Sequence, residues 1–127
     1  MNWQEVDVYV ALPEAMYLYN AKSQSLTPIA TKDLREATGK QPYVKDAPLN
    51  LVYVADAAKM KNANEEDRIL YSSADVGFIA QNVYLYCASQ GLAVVVRGMV
   101  DRPALAKEMK LRPEQKIVLS QTVGYPK

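Results

Sequence analysis

The chain contains no histidine and only one cysteine, Cys87. Catalysis by a Ser-His-Asp or Cys-His arrangement within the chain is thereby excluded, because no imidazole is present to take the proton. Zinc sites built on His go with it, and one thiol cannot replace them. Cys87 has no partner for an internal disulfide, which fits a reducing compartment and leads us to expect a cytoplasmic protein. The glycines, five in all, form neither a G-x-G-x-x-G nor a Walker loop. Basic and acidic residues nearly cancel, 15 against 14, for a net charge of +1. That balance gives no electrostatic case for nucleic acid or an anionic membrane as partner. No apolar run approaches the length of a membrane span, and no signal-peptide pattern follows Met1. An enzyme made of this chain would have to borrow its chemistry, and an organic cofactor is the expected source.

What is present is enough apolar material for one core: half of the 127 residues are hydrophobic, as one domain requires. The stretch Ser72–Gly98 organises the rest. Val76, Ile79, Ala80, Val83 and Cys87 recur at helical spacing and form one apolar face. Phe78 and Leu85 lie on nearly the opposite side, and Asp75, Asn82 and Ser89 make a narrow polar ridge. A helix apolar on two sides is expected to be buried on two sides, against its own core and against a second copy of the chain, unless the chain's own short helices cover the second side. Gly91 supplies a left-handed C-cap. Leu92–Val96 reads as a strand covered on both faces. Cys87, on the apolar face, is expected to be a buried core residue.

Taken in order, Val6, Val8 and Val10 alternate with Asp7, Tyr9 and Ala11 and predict a first strand. Met16–Tyr19 is its expected hairpin partner, and Leu26–Ala30, which contains Pro28, an edge strand. Thr31 predicts a cap for a helix over Lys32–Thr38, with Gly39 past its end. Lys40–Pro48 reads as a loop and Leu49–Ala55 as a core strand. Residues 56–64 are polar, with room for a helical turn. Asn64 caps the acidic run Glu65-Glu66-Asp67, so the long helix begins there or breaks near Ser72. Asp101 caps Arg102–Met109, with Pro103 in the first turn, and Lys116–Val123 is the last strand. Mixed helices and strands with an antiparallel hairpin predict an α+β fold with a mixed, mainly antiparallel sheet and a long central helix.

The run GFIAQNVYLYCASQGLAVVVRGMVDRPALAKEMKL, followed by KIVLSQTVGYP, resembles the C-terminal half of the nitroreductase family of flavin enzymes. There a long helix with an internal Gln-Asn leads to a G-L-x strand, a turn, a short helix and a final strand ending in Val-Gly-Tyr-Pro. The same features fall in the same order in this sequence. The hairpin VYVAL…MYLYN and the segment GKQPYVKDAPLNLVYVAD are similar to the family's middle section, so the resemblance covers about the whole chain. It implies a nitroreductase-like fold over a single domain, residues 1–127. The Arg-Arg-Ser-x-Arg segment that holds the FMN phosphate in the family has no match, nor do the two helices before its first strand. We therefore expect a domain that is partial relative to the family and truncated at its N-terminus.

The resemblance implies FMN as cofactor and a ping-pong reaction in which NAD(P)H reduces the flavin and a nitroaromatic, quinone or related small molecule takes the electrons. It implies a homodimer with the flavin at the interface. Asn2 and Gln4 match residues that hydrogen-bond the flavin or its ribityl chain, and Gln41 lies in the loop that approaches it. Val95, Val96, Arg97 and Gly98 match the strand end whose backbone lies over the ring. Gly98 would permit that close approach, and the Arg97 side chain is expected to be a solvated charge. No side chain is implied as an acid or base, so no catalytic residue is assigned. Gln81-Asn82 reads as helix packing, and Tyr84 and Tyr86 as core and interface aromatics. Without the phosphate segment the isolated chain is expected to hold FMN weakly. A flavin-free dimeric remnant and a small-ligand module that uses the same cleft stay open as alternatives.

Overall fold

The computed structural model describes residues 3–126. Strands β1 (Val6–Ala11), β2 (Met16–Asn20) and β3 (Ser25–Ala30) form a meander. β4 (Leu49–Asp56) pairs with β1 at the centre of the sheet, β6 (Gln115–Gly124) follows it, and β5 (Ala93–Arg97) closes the far edge. The order is β3-β2-β1-β4-β6-β5. All pairings in it are antiparallel, so the α+β class stands with an antiparallel sheet. β3 is an edge strand, and Pro28, which has no N–H for a further ladder, lies within it.

Among the described residues there are two α-helices, α1 (Glu65–Gln90) and α2 (Arg102–Glu108). Asn64 Oδ1 accepts from the Asp67 N–H at 2.7 Å, and Glu65, Glu66 and Asp67 follow in the first turn. The helix runs unbroken past Ser72, whose hydroxyl donates back to the Arg68 carbonyl. Its end is a Schellman cap. Gly91 has φ +70°, the Leu92 N–H reaches the Cys87 carbonyl at 2.8 Å, and the Gly91 N–H reaches Ala88. α2 starts as expected, with Asp101 Oδ1 accepting from the Ala104 N–H.

The sheet has a packed layer on each face. Period-two alternation sends Tyr53 toward α1, where it packs with Val76 and Ala80. Val52 and Val54 point the other way, into a cluster with Met16, Leu34, Leu105 and Met109. A polar pin adds to the α1 layer. The Tyr53 hydroxyl donates to Gln121 Oε1, and Gln121 Nε2 donates to the Ala80 carbonyl at 3.1 Å. All three residues are buried, so each polar atom of the pin has its partner inside the protein.

Two expectations are corrected here, and one alternative is excluded. The helix over Lys32–Thr38 is only a 3-10 turn at Glu36–Thr38. The Asp33 carboxylate accepts from both the backbone N–H and Nε of Arg35, a local side-chain bond that competes with the helical ladder. The strand over Leu92–Val96 is not covered on both faces: β5 is an edge strand with Ala93 and Val95 exposed. Its unbroken apolar run carried no information about which neighbours it has. Finally, α2 and the 3-10 turn lie on the sheet face opposite α1. They do not cover the outer side of α1, where Phe78 and Leu85 are 69% and 60% exposed.

Candidate functional site

The end of β5 meets the loop after the 3-10 turn, and this junction is where the chain gathers most of its predicted site residues. Along β5 the side chains alternate, so Val94 and Val96 are half-buried while Ala93 and Val95 are exposed. As an edge strand, β5 turns alternate backbone groups away from β6. The Val96 N–H is one of them, and it donates to the Tyr84 hydroxyl at 2.6 Å. Tyr84 is thus a half-buried clasp between α1 and β5. Tyr86 is exposed, as are Gln81 and Asn82, so packing within this chain does not account for the Gln-Asn pair.

Arg97 is a correction. Its side chain was expected in solvent and is 3% exposed. Nε donates to Thr122 Oγ1 at 2.7 Å, Nη1 to the Thr38 carbonyl at 2.7 Å, and Nη2 to Asn50 Oδ1 at 3.0 Å. Burial lowers its pKa from the ordinary arginine value. The reason is topological: residue 97 faces the same side of the sheet as Asn50 and Thr122, where polar acceptors from two strands and from the 3-10 turn converge. Sequence reasoning missed Thr38, Asn50 and Thr122. The readable signals were Asn50 inside the apolar run Leu49–Ala55 and the polar Ser-Gln-Thr in the middle of the last strand.

Gln41 lies beside this cluster. The Lys40 N–H donates to the Met99 carbonyl at 3.2 Å, which ties the Gln41 loop to the segment just past Gly98. Gln41 Oε1 is buried and has no hydrogen-bond partner among the described residues. An acceptor left bare in a folded protein costs about 1–3 kcal/mol, so a donor supplied from outside would remove that cost. A cavity of 390 Å³ opens at this loop, lined by Gly39, Lys40 and Gln41. Gly98 is exposed. A Cβ there would meet only Leu119 Cδ2 at 3.8 Å, so nothing inside the chain demands glycine at this position.

Gln4 is elsewhere. It precedes β1, three strand steps from β5 across β4 and β6, a separation of at least ~14 Å. It lines a 650 Å³ cleft with Trp3, Glu5, Asp75 and Phe78. Its φ of +52° is unusual for a non-glycine residue, and such strain collects at functional sites. In the same cleft Glu5 is buried, and its carboxyl pKa is raised by burial and then by the neighbouring Asp75. Asn2 lies outside the described residues. The single chain therefore unites Gln41 with Arg97 and Gly98 and leaves Gln4 on a second cleft. Among the described residues no group of His, Cys, Asp and Glu is arranged to hold a metal ion, and no helix is long and apolar enough to cross a membrane.

Comparison with known proteins covers the same ground. The model of the nitroreductase family matches residues 1–125. A protein of Methanocaldococcus jannaschii that carries the provisional name nitroreductase is 30% identical over 107 residues, 81% of this chain and 54% of its own. A crystal structure from Ralstonia eutropha JMP134, also provisionally named a nitroreductase, superposes with a TM-score of 0.90 at 43% identity. It is matched over 97% of this chain and 59% of its own. The NADPH:FMN oxidoreductase of Vibrio harveyi, solved with NAD+, shares the fold at a TM-score of 0.71 and 21% identity, over 98% of this chain and 52% of its own. The chain thus spans a little over half the length of these relatives. With the family model matched from end to end of the described fold, this chain belongs to the nitroreductase family.

Proposed function

We propose that the chain belongs to an FMN-dependent oxidoreductase that takes electrons from NAD(P)H and gives them to nitroaromatic, quinone or related small acceptors. Family membership supports this reading, as does the Vibrio harveyi relative, named for NADPH and FMN. The observation in this molecule that carries it is the bare Gln41 Oε1 beside the end of β5. A flavin ring presents one ring N–H between two carbonyls, so it supplies the donor that this oxygen lacks. FMN, when bound, would supply the hydride-accepting ring that no amino-acid side chain provides. Gln41 would orient the ring edge, and the backbone at Val95–Gly98, exposed at Val95 and Gly98, would lie against it. Val95 and Val96 would keep water from one side. Gln4 would act from the other cleft.

Because Gln4 and Gln41 lie on separate clefts of one chain, a complete site calls for two copies. The homodimer proposed for this chain would bury the exposed stripe of α1 and bring the Gln4 cleft of one copy toward the β5 end of the other. FMN carries a phosphate that no arginine cluster of this sequence matches. Each missing charge-assisted bond to it forfeits about 1.5–3 kcal/mol, so binding by this chain alone is expected to be weak. The test is titration of purified chain with FMN, followed by quenching of flavin fluorescence. Saturable quenching that weakens in Gln41→Ala supports the reading. No quenching at millimolar FMN rejects it in favour of a flavin-free dimeric remnant.

A further inference from the structure

Arg97 is a buried cation whose acceptors are all neutral. No carboxylate lies within ion-pair distance of it among the described residues. Burying an unpaired charge is costly, and an apolar residue of similar volume would pack the same space more cheaply. The guanidinium must therefore do something that volume alone does not. It joins separate pieces of chain: Thr38 at the end of the 3-10 turn, Asn50 of β4 and Thr122 of β6, from a root on β5. Asn50 extends the network by donating from Nδ2 to the Val44 carbonyl at 2.8 Å. The loop carrying Gln41 is thus held on both sides, at Thr38 and at Val44.

Gly39 confirms how close the loop comes. A Cβ at residue 39 would fall 1.8 Å from Arg97 Nη1 and 3.1 Å from Gln41 Oε1. The φ of Gly39 is −175°, extended backbone open to any residue, so the requirement for glycine is one of space and not of conformation. With the guanidinium seated against Gly39, the next residue is in register for the Lys40 N–H to reach the Met99 carbonyl.

We propose that Arg97 is a positioning residue: it clamps the 38–41 segment onto the end of β5 and so sets Gln41 Oε1 at a fixed place relative to Gly98. The purpose of the clamp rests on the flavin reading above, whereas its geometry does not. A planar fork suits the task, because its donors reach three acceptors in fixed directions; a lysine ammonium offers one point of charge and cannot span them.

Amide hydrogen exchange on the full chain tests the clamp. In Arg97→Gln the Lys40 amide should exchange at least about tenfold faster relative to the Tyr53 and Val54 amides of β4, and Arg97→Lys should follow it. A merely structural arginine would move loop and β4 amides together; that result, or a Lys40 amide as protected as in the wild type, overturns the proposal. Should Arg97→Gln fail to fold, Gly39→Ala decides. Its methyl displaces the guanidinium, and a folded Gly39→Ala with unchanged Lys40 protection also overturns the clamp. FMN titration of the same samples separates the two readings. If the wild type does not quench FMN, the flavin reading falls while the exchange result still decides the clamp.

Discussion

The inner and outer stripes of α1 are built from similar residues and meet different fates. Val76, Ala80 and Cys87 on the inner side are buried against the sheet, and Ile79 and Val83 half so. Tyr71, Phe78 and Leu85 repeat at seven-residue steps on the outer side and are exposed. Both stripes follow from one periodicity, so periodicity reports that a surface is apolar and not what lies against it. The difference comes from the sheet. Its second face is occupied by α2 and the 3-10 turn, so among the described residues no helix or strand is left for the outer side of α1, where only Trp3 packs edge-on against Tyr71.

The sharpest way to break this contrast is an acid on the inner stripe. Val76 is fully buried, and Val76→Asp should cost several kcal/mol, since it loses the burial of Val and places an unpaired carboxylate in the core. Val83→Asp, at a half-buried position, should cost less. Circular dichroism melts check both; a Val76→Asp chain with the wild-type melting temperature would reject the inner-stripe assignment.

Cys87 gives a second handle on the inner side. Its thiol is 2% exposed, and burial raises its pKa. At pH 8 it should react with a thiol reagent slowly in the native state and rapidly in denaturant. Equal rates would mean that the inner side opens freely.

Glu5 sits just before β1, against the middle of α1 at Asp75. Its native pKa is raised above the ordinary 4.5, first by burial and then by Asp75, with Lys59 opposing. The native state thus holds this proton more tightly than the unfolded chain does. Its contribution to stability is full below pH 4.5 and is lost as pH rises through the native pKa. Glu5→Gln should therefore melt higher than the wild type at pH 7, with the gain shrinking toward pH 4. A gain that is flat across that range would point to packing and not to the proton.

On the outer stripe the expected effect on chain stability is smallest. Phe78→Asp should change it by no more than about 0.5 kcal/mol in dilute solution, because the side chain is already in water. What should change is mass. Light scattering at micromolar concentration is expected to give two chains for the wild type and one for the variant. A wild type with the mass of one chain would remove the dimer, and with it the two-copy site.

Much of this molecule was legible in its residues, for local reasons. Asn64, Gly91 and Asp101 mark helix ends because their side chains or backbone conformations answer unpaired groups within a few residues. Strand positions followed from alternation, and the family from an ordered set of short motifs. The errors are equally physical. Lys32–Thr38 carried a helix signal that the Asp33–Arg35 hydrogen bonds redirected. The apolar run after Gly91 read as a doubly covered strand, although a run of valines looks the same at an edge. Arg97 read as solvated because charge is usually outside; its acceptors lie at residues 38, 50 and 122.

The sequence by itself determined what depends on neighbours along the chain: the helix caps, the alternating strands, the two apolar stripes of α1 and the absence of any imidazole. Only the tertiary structure decided what depends on distant residues meeting. It placed Gln41 beside Gly98, left Gln4 three strands away, and drew Arg97 inward onto acceptors from separate elements. The reason is that a side chain's burial and partners are set by sheet order and by which face it takes, and one-dimensional spacing specifies the face but not the order.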